Sequence, residues 1–198
     1  MSNDFVPYGP YSWVQSDNVG IAKYVKQTYD ILTNRDLKIT YPEKDKYDEH
    51  NFFYADGILV RICFEEEFEK ICCERTGDFH EDVRGLASIK EREIHCRFGY
   101  LDYVLQNIGH EFGHFSGHIL EKTAEEAKAY SYQFAWYKTI QEHNIGGLAN
   151  VPMVLHHIRT GAHKIAFDFV SEKINSGYSA IDLFNDICGE KLKFGEGK

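Results

Sequence analysis

Apolar positions along the chain recur with two different periods, and the switch between them predicts where helices and strands lie. Between Asp17 and Leu32 the residues Val19, Ile21, Ala22, Tyr24, Val25, Tyr29 and Leu32 keep the helical repeat, so an amphipathic helix is expected after an arm rich in Pro, Gly and aromatic residues. Tyr41 to His50 is charged, contains Pro42 and reads as a loop. Asn51 to Ala55 and Ile58 to Phe64 then flank Asp56-Gly57, a pair that tolerates positive φ and so predicts a hairpin. Glu65 to Arg75 reads as a short helix stopping before Gly77, with further strands at Val83 to Ser88 and Glu93 to Phe98.

The second half is helical throughout. Leu101, Val104, Leu105, Ile108, Phe112, Phe115 and Ile119 form one apolar stripe. A second helix is expected from Thr123 to about His143, and Pro152 opens a third, to about Asn175, with a stripe at Val154, Leu155, Ile158, Ala162, Ile165, Ala166 and Phe169. Ser179 to Cys188 predicts a last short helix ended by Gly189. These elements predict an α+β fold in which a small, mostly antiparallel sheet packs against a helical core carrying the Leu101 to Ile119 helix. With 198 residues, 43% of them hydrophobic, residues 1–198 are expected to form a single domain.

Charge and cysteine usage narrow the setting. A net charge of −9 and the lack of a Lys/Arg cluster argue against nucleic acid or an anionic membrane as partner. Met1 to Phe5 shows no basic n-region with an apolar h-region, and no apolar run reaches about 18 residues, so neither export nor membrane insertion is expected. Five cysteines without Cys-x-x-Cys spacing fit buried thiols in a reducing, cytoplasmic compartment. Cys72-Cys73 reads as neighbouring packing positions, and Cys96, in a predicted strand, as a core residue and not a thiolate ligand.

The chemistry sits in His110-Glu111-Phe112-Gly113-His114. On a helix, positions i and i+4 share a face, so both imidazoles can converge on one ion while Glu111 lies about 100° round the axis. Opposite the apolar stripe fall Asn107, His110, His114 and His118, which turns the histidines away from the main core. A zinc hydrolase needs this set: protein ligands, a water of lowered pKa and a carboxylate to take its proton.

A third protein ligand has to come from nearby. His118 lies about 12 Å along a straight helix from His110, too far to share an ion with it unless the helix breaks at Gly117. The metzincin arrangement, with a third His after such a Gly, fails because its position holds Leu120. Glu125 and Glu126 lie at the start of the next helix and would stand beside the motif if that helix runs back antiparallel. Thr123-x-x-Glu126 is also a capping box, which would turn Glu126 back on its own helix.

His110-Glu111-Phe112-Gly113-His114 followed by Glu126-Ala127-x-x-Tyr130 resembles the ImmA/IrrE type of gluzincin, the zinc metallopeptidases whose third ligand is the Glu of a Glu-Ala-x-x-aromatic stretch. The likeness covers about Gly85 to Tyr137. It implies zinc held by His110, His114 and Glu126. Lys128 stands where that family usually carries Asn or Asp, and no helix-turn-helix module is evident.

The reading that results is a zinc-dependent metallopeptidase acting on a peptide or protein, with Glu111 as general base. Tyr130, one turn beyond Glu126, and His156 are the candidates to stabilise the oxyanion; His163 shares the face of His156 two turns on. Gly85-Leu86-Ala87-Ser88 is the candidate edge strand to which an extended substrate would add. The alternatives are a non-catalytic, metal-stabilised regulatory protein and a deformylase-like hydrolase, whose Glu-Gly-Cys ligand setting the chain lacks.

Overall fold

The Asp56-Gly57 dipeptide sets the register of the sheet. Both residues have positive φ (47° and 74°), which matches a two-residue turn to the twist of the strands it joins. Ala55 therefore pairs with Ile58, closing the hairpin between β2 (Phe52–Ala55) and β3 (Ile58–Cys63). The structure is a computed structural model that describes residues 18–42, 52–153 and 161–192. It contains α1 (Asn18–Thr33), β1 (Ile39–Thr40), β2, β3, α2 (Glu65–Thr76), β4 (Gly85–Ser88), β5 (Glu93–Arg97), α3 (Leu101–Phe115), α4 (Lys122–Glu142), α5 (Gly161–Asn175) and α6 (Ala180–Cys188).

The five strands lie in the order β1-β2-β3-β5-β4. Only β3 and β5 run parallel; the other three pairings are antiparallel. A parallel neighbour needs a crossover, and here α2 and β4 form it, leaving β4 outermost with a single partner among the described residues. The α+β class and the small, mostly antiparallel sheet agree with the sequence pattern. β1, two residues long, has too few positions to carry a period and was not foreseen.

Helices cover the sheet on two sides. Under α2, Phe68 and Cys72 meet Cys63, Val83 and Leu86 in a small cluster. The main core joins α1, α3 and α4 to the sheet, around Val25, Phe53, Val60, Ile94, Leu105, Ile108 and Trp136. A further cluster, including Ala166, Val170, Leu183 and Ile187, holds α5 and α6 to α4 at Ala127 and Tyr130. No helix among the described residues is long and apolar enough to cross a membrane.

Two boundaries differ from the apolar pattern. α3 stops at Phe115 and not near Ile119: Ser116 turns extended, its hydroxyl donates to the Phe112 carbonyl at 2.9 Å, and Gly117 follows at φ 75°. Ile119, which keeps the period by coincidence, is exposed. Of the helix expected from Pro152, residues 154–160 lie outside the described residues. In α5 the buried positions are Ala166 and Val170 while Ile165 is exposed, so the inward face is rotated from the expected stripe.

α3 and α4 approach closely because two glycines face α4. A Cβ at Gly113 would lie 2.7 Å from the Ala129 Cα, and one at Gly109 2.5 Å from the Trp136 ring. Neither glycine has positive φ, so space and not backbone conformation selects them. Helix propensity alone favours Gly113→Ala by about 1 kcal/mol. Overpacking against a neighbouring backbone opposes it, and Gly113→Ala is expected to lower the free energy of unfolding by about 1–3 kcal/mol net, measured by chemical denaturation.

Candidate metal centre

α3 supplies two imidazoles from adjacent turns, with ring centroids 5.0 Å apart. α4 runs back beside it, and its first turns bring Glu126 to the same point: Oε2 lies 3.5 Å from His110 Nε2 and 3.9 Å from His114 Nε2. The donor atoms of His110, His114 and Glu126 all fall within 4.8 Å of one another, so the three can hold a metal ion. No other such group occurs among the described residues. Glu126 Oε2 is buried and forms no aligned hydrogen bond, though imidazole nitrogens surround it; an ion between them would satisfy that oxygen.

The competing roles weighed for Glu126 and Glu125 separate cleanly. The capping box is not made, since α4 begins at Lys122 with Glu121 as its N-cap and no side-chain cap. Glu125 instead stands behind His114: its Oε1 lies 3.0 Å from His114 Nδ1, and its Oε2 accepts the Leu120 N–H at 2.9 Å. An ionised carboxylate only accepts, so it keeps the proton on Nδ1 and leaves Nε2 free to face the ion.

Lys128 closes this group. Its ammonium is fully buried, 2.9 Å from Glu125 Oε1, and donates to the His118 carbonyl at 2.9 Å. Lys128 thus neutralises the carboxylate behind His114 and ties down the connection between the two helices. His118 itself is exposed and pairs with Glu190 through Nε2 at 3.1 Å, away from the centre.

Tyr130 is buried with its ring 4.5 Å from that of His110, as its spacing from Glu126 requires. Burial, with the carboxylates of Glu126 and Glu111, pushes its phenol well above the usual range, so it remains an O–H donor. His156 lies outside the described residues. His163, on α5, reaches the centre: its Nδ1 is 2.9 Å from Glu126 Oε2, and that carboxylate raises the imidazole above its ordinary value. Burial opposes ionisation of Glu126, but the imidazoles of His110, His163 and His114 outweigh it and hold the carboxyl well below the usual range.

Glu111 points from α3 to the outer strand β4. It is 5% exposed. Burial pushes its carboxyl up to about 7, against the pull of His114 and, more weakly, of His163 and the Ala87 backbone N–H. Cys96 is buried in β5 within the main core, and burial raises its thiol, which fits packing and not ligation. Family models, curated proteins and solved structures gave no match to this chain.

The geometry separates ligand from support. Glu126→Ala should abolish stoichiometric metal binding, whereas Glu125→Ala should weaken affinity about 10–100-fold and keep the stoichiometry. Metal titration of the two purified variants beside wild type reads the difference; equal affinities would place Glu126 outside the metal's coordination.

Proposed function

We propose that the protein is a zinc metallopeptidase of the ImmA/IrrE type, with His110, His114 and Glu126 as metal ligands and Glu111 as general base. One observation carries the reading: the donor atoms of His110, His114 and Glu126 converge within 4.8 Å of one another, and the buried Glu111 carboxyl comes from the same helix as the two imidazoles. The N₂O donor set suits zinc, which when bound would lower the pKa of a water and polarise the scissile carbonyl.

Each side chain then has a task. Glu111 takes the proton from the attacking water as its oxygen adds to the carbonyl carbon, and returns it to the amide nitrogen as the C–N bond breaks. Tyr130 and His163, whose rings lie 6.5 Å apart beside Glu126, are the donors that would stabilise the oxyanion. Glu125 and Lys128 keep the His114 ring in orientation.

The outer strand supports a peptide as substrate. Arg97 N–H bonds the Arg84 carbonyl, so alternation directs the backbone groups of Leu86 and Ser88 to β5 and those of Gly85 and Ala87 to the free edge. An extended chain can add there, beside Glu111. The five free cysteines fit a reducing compartment, in keeping with a cytoplasmic enzyme.

Cleavage of an unbiased peptide library, with and without a chelator, tests the reading. Chelator-sensitive cuts are expected, and Glu111→Gln should retain metal while losing about 10²–10⁴-fold in turnover. A Glu111→Gln protein as active as wild type would sink the mechanism, and a wild type that the chelator merely unfolds would favour a structural metal. A base works only when deprotonated, so kcat/KM should fall tenfold per unit as pH drops below the Glu111 pKa. A bound cation lowers that value, which puts the acid limb between the ordinary 4.5 and about 7. A pH–rate profile with no limb in that window would count against Glu111.

A further inference from the structure

β4 presents its smallest side chains to α3. Alternation along Gly85-Leu86-Ala87-Ser88 sends Leu86 into the cluster under α2, while Gly85 and Ala87 share the opposite face. Against that face lies the Glu111 carboxyl. A Cβ at Gly85 would fall 2.3 Å from Glu111 Oε1, 2.9 Å from its Cδ and 3.0 Å from its Cγ. These distances leave no room for a methyl group.

The backbone at Gly85 does not itself require glycine, because its φ is not in the left-handed region. What requires glycine is the carboxyl. The atoms that would clash belong to the movable end of a side chain, so a larger residue at 85 displaces Glu111 more readily than it unfolds the strand. The outward Ala87 N–H, two residues along the same strand, also favours the ionised carboxyl.

We propose that Gly85 is a positioning residue: its missing side chain forms the seat that fixes the Glu111 carboxylate between the outer strand and the metal centre. The consequence for turnover rests on Glu111 acting as general base; the seating itself does not. Rate should depend on residue 85 through kcat, because the seat orients a group that moves a proton and not one that binds substrate.

The test has an arm that needs no activity. In amide NMR spectra of the metal-free protein, the Ala87 proton should move upfield in Gly85→Ala, toward its position in Glu111→Ala; an unmoved Ala87 resonance overturns the proposal. If Gly85→Ala alone fails to fold, the same substitution is made in the Glu111→Ala background. A folded protein with the Tm of Glu111→Ala supports the seat, and an unfolded one overturns it by placing the cost in the strand. In the kinetic arm, Gly85→Ala should lower kcat about 10–100-fold at unchanged KM and metal content, and add no loss to Glu111→Gln. A further loss in that background overturns the positioning role. A wild type that cleaves nothing refutes the peptidase reading and leaves the NMR outcome to decide the seat.

Discussion

α3 and α4 pack so closely at Gly113 that the Ala129 backbone occupies the place a side chain would take. The metal centre depends on that approach. His110 and His114 come from one helix and Glu126 from the other, so their convergence within 4.8 Å is a statement about interhelical distance before it is one about ligands. A wider spacing would leave Glu126 facing its own helix start, as the capping-box alternative had it. Trp136 fills the adjacent gap at Gly109 and stacks on Phe112, inside the motif, so α4 packs on the buried side of α3 and locks its rotation.

Charges around the centre are layered rather than balanced pair by pair. Glu126 gathers three imidazoles, Glu125 supports one of them from behind, and Lys128 neutralises Glu125. Glu111 lies outside these pairs, so burial dominates its ionisation and sets it apart from Glu126, two neighbouring carboxyls shifted in opposite directions. That division fits a ligand that must stay charged and a base that must accept and release a proton.

Much of this was legible in local periods. The hairpin followed from Asp56-Gly57, α2 from a helical stretch stopped before Gly77, β4 and β5 from the strand segments ahead of the motif, and the placement of His110, Glu111 and His114 on the polar side of α3 from the wheel. Features that depend on tertiary placement were not. Whether Glu125 or Glu126 faces the ion is decided by the rotation of α4 against α3, about 100° apart for adjacent residues, which no local pattern encodes. His163 and His156 were equivalent on their helix face; only the packing of α5 on α4 brings His163 to Glu126. Lys128 reads as a solvated residue until its burial is seen, although its spacing of three from Glu125 was a signal. Glycines at 109 and 113, one turn apart in the motif helix, also announced a close neighbour.

The buried Lys128 carries a consequence for how such a centre can change over generations. Its ammonium, the Glu125 carboxylate and the His118 carbonyl form one neutral unit, with the ammonium out of reach of water, at the turn between the ligand helices. Losing the Glu125 charge would leave the buried Lys128 ammonium unpaired, at a cost of about 3–5 kcal/mol, a large fraction of a domain's stability of about 5–15 kcal/mol. Lineages descending from this chain are therefore expected to keep both residues or to exchange both together. The support of the centre is inherited as a pair, while the exposed His118 beside it is free to drift.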